Sequence, residues 1–239
     1  MDEVFPRLVA LFTPLVLERS WWPLIALGLA VAAVATPLWV VVRVIVVIVH
    51  ELGHAVVGIL CGRRFTGIVI RMDMGGHAVT QGPPRGFGMI TTAFAGYPAP
   101  AWVGACIAWA ALAGWADPVL VIFAVSCLLS LVKVRSFFTF LAFVGLSVAA
   151  LALWWWAAPE LRSGVVLGAA LVLLVGAIRQ FSSVLFHGGG QDDPAQLARL
   201  TGIPTGLWLF ILGVVIAIPV GITVLWLLDV ASTTLLAQI

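Results

Sequence analysis

Charge is the scarcest commodity in this chain: only 9% of its 239 residues are Asp, Glu, Lys or Arg. Soluble domains carry about 25%. With 12 basic and 10 acidic residues, the net charge of +2 is too small to give an electrostatic footprint for DNA or RNA, so a nucleic-acid partner is not expected. Cysteine is nearly absent too. Cys61, Cys106 and Cys127 make an odd number without metal-ligand spacing, which argues against a disulfide framework and for small packing residues. The start, Met1-Asp2-Glu3, lacks the basic stretch that opens a signal peptide. No internal repeat or low-complexity tract is evident.

What the chain does have is apolar surface. Hydrophobic residues make up 63% of it, and mean hydropathy is +1.18. A soluble core of this size cannot absorb that much apolar surface and still be covered by polar groups. A lipid solvent is implied, and the expected fold is an all-α polytopic membrane protein. Seven apolar runs approach the roughly 20 residues that cross a bilayer: 21–36, 38–61, 92–115, 118–133, 137–157, 163–180 and 205–228. Trp21, Trp22, Trp115 and the Trp154-Trp155-Trp156 cluster lie at their ends, where indoles anchor in the headgroup region. Residues 1–20 read as an N-terminal surface segment; Pro6, Arg7 and Pro14 interrupt its apolar stretch. Residues 21–239 read as one transmembrane domain.

Seven crossings with a cytoplasmic N-terminus and an extracytoplasmic C-terminus put ten basic residues inside and only Arg162 in an outer loop. Fusing the first two runs into one kinked helix at Pro37 lowers this to eight against three. The expectation is therefore a multi-pass protein of the cell membrane in the seven-crossing orientation. Two of its cytoplasmic segments are long. Residues 62–91 contain Ile68-Val69-Ile70 and Ala78-Val79-Thr80 around Gly75-Gly76, a predicted β-hairpin. Residues 181–204 form a loop with His187, Asp192 and Asp193 and a short helical stretch.

The second run contains His50-Glu51-Leu52-Gly53-His54, an HExxH pattern inside apolar sequence. Residues i and i+4 share a helix face, so His50 and His54 can present two imidazoles to one metal ion. Zn2+ suits neutral imidazoles and keeps a position open for water. Glu51 can then serve as the general base. Three ionisable residues at bilayer depth each cost roughly 2.5–3.5 kcal/mol when unpartnered, and a metal ion is the simplest partner. A third ligand is expected from the 181–204 loop. Asp193 is the leading candidate, Asp192 the next, with His187 and His77 as substitutes. Asp193-Pro194 is also a good helix start, with Asp193 as N-cap. Arg43, seven residues before His50 and near the same helical face, either lines the bundle interior and pairs with a carboxylate or, as the favoured reading, snorkels towards the interface.

The stretch Val49–Ala55 with Gly62-Arg63-Arg64 resembles the bacterial site-2 protease-like membrane metallopeptidases. So do Ala95-Gly96-Tyr97-Pro98-Ala99-Pro100 and the block from Asp193-Pro194 to Gly202-Ile203-Pro204. The resemblance spans about residues 38–228. It implies a helical bundle, zinc, and proteolysis of membrane-spanning or membrane-associated proteins in the bilayer, with His50 and His54 as ligands and Glu51 as catalytic residue. The family's Asn-Pro…Asp-Gly block has no counterpart here, where the corresponding region reads Val134-Arg135-Ser136-Phe137-Phe138-Thr139.

The expected activity is thus that of an HExxH-type membrane metalloendopeptidase. The alternative is a non-catalytic metal-binding protein, a sensor or scaffold. In the hairpin, the strand Gly67–Met72 could hold an unwound substrate segment by β-addition.

Overall fold

The computed structural model describes residues 4–15, 21–71, 75–188 and 190–236. The chain is mostly helical with one small sheet. Its elements are α1 (Val4–Ala10), α2 (Trp22–Ala35), α3 (Trp39–Leu60), β1 (Arg64–Ile70), β2 (Gly76–Gln81), α4 (Phe87–Ala95) and α5 (Pro98–Leu112). After these come α6 (Ala116–Ser130), α7 (Phe137–Trp156), α8 (Pro159–His187), α9 (Asp193–Thr201) and α10 (Thr205–Leu236). Nine of the eleven residues from Trp39 to Val49 are Val or Ile, a composition with high strand propensity. They are helical nonetheless, because only a helix satisfies its own backbone groups where water is absent.

Among the described residues, five helical stretches are long and apolar enough to cross a membrane: α3, α6 with the turn after it, α7, α8 and α10. The apolar helices α2 and α5 are shorter, at 14 and 15 residues. The expected seven crossings are therefore not all of spanning length. The expected run 92–115 is two helices, because Pro98 begins α5 without an N–H to donate back into the preceding turn. At the other end of the core, α8 continues to His187, so the loop expected from 181 begins only at Gly188.

The break at Pro37 does not reverse the chain. A groove lined by Trp22, Ala30, Glu160 and Val172 runs between α2 and α8. The Arg179 guanidinium donates to the Val34 carbonyl in the last turn of α2 and stacks over the Trp39 indole at 5.0 Å. So α3 starts beside the point on α8 where α2 stops, and it continues towards the hairpin. On the opposite side of the bundle, Arg7 stacks over Trp155 at 4.8 Å, and the Leu15 N–H donates to the Gly114 carbonyl at 2.9 Å. These contacts hold α1 against the α5–α6 and α7–α8 connections, at the Pro159 end of α8. Over its described residues, the N-terminal segment thus packs at the end of the bundle away from the hairpin.

β1 and β2 pair antiparallel, with Ile68 opposite Ala78 and Ile70 opposite Gly76. Ile68 and Ile70 are fully buried against Val47, Ile48, Cys127 and Phe143. The far edge of β1 is covered: Ile68 bridges to Val134, and the Arg135 N–H donates to the Ile68 carbonyl at 3.1 Å. The expected docking strand Gly67–Met72 is therefore not an open edge over its described part, and Met72 lies outside the described residues. Among the described residues no further strand pairs with the other edge of the sheet, that of β2.

Candidate metal centre

His50, Glu51 and His54 sit in the second half of α3, where Gly53 lets the helix approach α4 and α5 closely. A Cβ on Gly53 would lie 2.5 Å from the Ala99 Cβ and 3.0 Å from the Ala95 carbonyl oxygen. The i, i+4 spacing brings the two imidazoles together edge to face, with ring centroids 4.8 Å apart and Nε2 atoms 3.2 Å apart. His54 Nδ1 lies 2.7 Å from the Thr92 carbonyl oxygen. A carbonyl can only accept, so Nδ1 carries a proton and Nε2 is the nitrogen turned inward, towards Asp193. A histidine whose outer nitrogen donates to a carbonyl while the inner one is left basic is a common second-shell arrangement at metal sites.

The third member of the group comes from α9. Asp193 Oδ2 is 3.3 Å from His50 Nε2 and 3.2 Å from His54 Nε2. Asp193 itself does not cap the helix, contrary to the expectation for the Asp193-Pro194 start. Asp192 is the N-cap, and its Oδ1 accepts from the Ala195 N–H at 3.0 Å. With that donor satisfied by its neighbour, the Asp193 carboxylate is released to face the imidazoles. Burial works to raise its pKa, but the two imidazoles outweigh burial and hold it well below the usual carboxylate range.

His50, His54 and Asp193 each offer one ligand atom, and these atoms all lie within 4.8 Å of one another. Asp193 Oδ2 is buried and has no hydrogen-bond partner. Converging lone pairs away from water repel unless a proton or cation lies among them. The donor set, two imidazole nitrogens and one carboxylate oxygen, matches the three-protein-ligand pattern of catalytic zinc sites. The residues present fit such an ion.

Glu51 is 6% exposed, and its Oε2 accepts from the Ala78 N–H of β2 at 2.6 Å. The group lines a cavity of about 490 Å³ between α3, β2, α4 and the segment that leads into α9. Of the substitute ligands, His77 borders the cavity without joining the three-residue group, and His187 is exposed at the end of α8. Tyr97 is a site residue that periodicity could not reveal: it packs edge-on to His50, with centroids 4.9 Å apart. Gly96 is another, since a Cβ there would collide with His54 Nε2 and lie 2.8 Å from His50 Cε1.

This fold and site define a polytopic membrane protein with a histidine–histidine–carboxylate group and a glutamate beside it, open to a cavity. The chain belongs to the Peptidase M50B-like family, whose model matches residues 8–224. That family implies a metallopeptidase, and M50 peptidases use zinc. No curated protein and no solved structure matches the chain.

Proposed function

We propose that the protein is an intramembrane zinc metallopeptidase that hydrolyses peptide bonds of membrane-spanning or membrane-associated proteins. The observation that carries this reading is the convergence of His50 Nε2, His54 Nε2 and Asp193 Oδ2 beside a buried glutamate, in a member of a peptidase family. These three atoms would hold the ion, with the Thr92 carbonyl fixing the His54 tautomer. When bound, zinc supplies Lewis-acid polarisation of the scissile carbonyl and lowers the pKa of water.

The chain's own contribution is proton transfer and positioning. The Glu51 carboxylate takes a proton from the attacking water as the carbon–oxygen bond forms. It delivers that proton to the leaving amine nitrogen as the carbon–nitrogen bond breaks. A substrate segment must be unwound before its peptide bonds can be reached. The β2 strand borders the cavity, so an extended segment can lie in the cavity beside Glu51, which already holds the Ala78 N–H, rather than on the covered β1 edge.

In the membrane, α2 and α5 accompany the five longer helices, and the hairpin end of the bundle faces the cytoplasm, which also puts Lys133, Arg135 and Arg199 there. With α1 packed at the opposite end, α1 and the end of α10 are extracytoplasmic in this reading, in which α2 and α3 make one broken crossing.

Comparison of new N-termini in membranes from cells expressing wild type or the Glu51→Gln variant tests the proposal without knowledge of the substrate. Amine labelling and mass spectrometry should find termini that only the wild type generates. Identical sets of termini would overturn hydrolysis as the function.

Gly96 gives an independent check on the metal centre. Its φ of −59° and ψ of −59° are helical, so alanine suits the backbone. Only the added methyl is at odds with the site, because it occupies the space of the two imidazoles. Gly96→Ala is expected to lower zinc content at least tenfold while leaving the circular dichroism of the bundle unchanged. Wild-type zinc content in this variant would show that the imidazoles do not bind metal in this arrangement.

A further inference from the structure

Glu51 does not stand free in the cavity. One oxygen, Oε2, accepts the Ala78 N–H at 2.6 Å, a short charge-assisted bond. The other faces Gly76 so closely that a Cβ there would lie 2.5 Å from Oε1, 2.6 Å from Cγ and 2.8 Å from Cδ. The backbone of β2 thus touches both sides of the carboxylate. No side chain on that strand is required for this. What is required is a missing side chain at 76 and an unshared N–H at 78.

The strand that supplies these groups is fixed from elsewhere. On its β1 side, the Ile70 N–H donates to Thr139 Oγ1 at 2.8 Å, and Arg135 donates to the Thr66 carbonyl at 2.7 Å. On the β2 side, the buried Arg63 guanidinium donates to the Pro83 carbonyl at 2.7 Å and to Thr80 Oγ1 at 3.2 Å. The hairpin is therefore anchored to α3, α7 and its own return loop, and Glu51 rests against a fixed support. A misplacement of about 1 Å in a catalytic group can cost about a hundredfold in rate.

We infer that Gly76 and the Ala78 N–H form a backbone cradle that sets the position of the Glu51 carboxylate, with Gly76 as a positioning residue for the general base. The inference deepens the peptidase reading and rests on it for its kinetic consequence, whereas the cradle itself can be observed without activity.

The test uses the full-length protein in detergent, labelled with ¹³C-glutamate. The infrared difference between each protein and its own Glu51→Gln counterpart isolates the Glu51 carboxylate stretch. Gly76→Ala pushes the carboxylate off its seat. Ala78→Pro deletes the N–H at a position whose N–H lies outside the β1 ladder, where proline is tolerated. Thr66→Val is the control, since it removes the bond from Thr66 Oγ1 to the Val79 carbonyl (3.1 Å) and weakens the hairpin away from Glu51.

The expected result is a shifted Glu51 band in Gly76→Ala and Ala78→Pro and an unshifted one in Thr66→Val. With dye-labelled casein as the probe, kcat should fall at least tenfold in Gly76→Ala, with KM within twofold and zinc content unchanged. Thr66→Val should keep kcat within twofold. An unshifted band in both cradle variants overturns the inference, as does a shifted band with wild-type kcat. A wild type that generates no new N-termini overturns the peptidase reading instead, and the infrared band still decides whether the cradle exists.

Discussion

Replacing Glu51 by glutamine should abolish peptide-bond cleavage while leaving the zinc content and the fold as they are. Glutamine has the same shape as glutamate, and its amide oxygen can still accept the Ala78 N–H. The substitution therefore preserves the packing of a residue that is 6% exposed. It also leaves the three converging ligand atoms untouched. What it removes is the capacity to take a proton. General-base catalysis contributes about 10²- to 10⁴-fold, so turnover should drop by at least about a hundredfold. Cleavage by the Glu51→Gln protein at the wild-type rate would refute the mechanism. Full zinc content together with no cleavage by the wild type would instead favour a non-catalytic metal-binding member of the family.

How much of this site was legible in advance depends on how local each relation is. The pairing of His50 with His54 follows from helical periodicity, which brings any i, i+4 pair together on one face. The hairpin was legible because Gly75-Gly76 lies between two short β-branched runs, and both runs lie in the paired strands, although β1 begins earlier, at Arg64, and Gly76 belongs to β2 rather than to the turn. Pro37 announced a break but not its direction. That is set by Arg179, more than 140 residues away in sequence, which holds the end of α2 and the start of α3 at the same height. Gly76 is 25 residues from Glu51, and nothing in the local sequence around either indicates their contact. Close backbone approaches of this kind leave only a glycine as a trace, and a glycine in a predicted turn has a sufficient local reason to be there.

The division of labour between Asp192 and Asp193 was similarly hidden, since either could cap α9 and either could face inward. The structure assigns the cap to Asp192 through the Ala195 N–H, and that leaves Asp193 against both imidazoles. The two aspartates should therefore respond differently to the same substitution. Asp193→Ala removes one of three ligand atoms. Loss of a supporting second-shell group already costs about 10- to 100-fold in metal affinity. The loss of a direct ligand should exceed that, and the zinc content of the purified variant should be close to that of His54→Ala. Asp192→Ala deletes a helix cap worth about 1 kcal/mol, so the protein should unfold at lower temperature yet retain zinc. Metal analysis and thermal unfolding on the same preparations separate the two effects. The assignment of Asp193 as third ligand fails if its alanine variant keeps wild-type zinc while the Asp192 variant loses it. In that case the cap would have to be released on loading, with α9 starting one residue later and Asp192 turning towards His50.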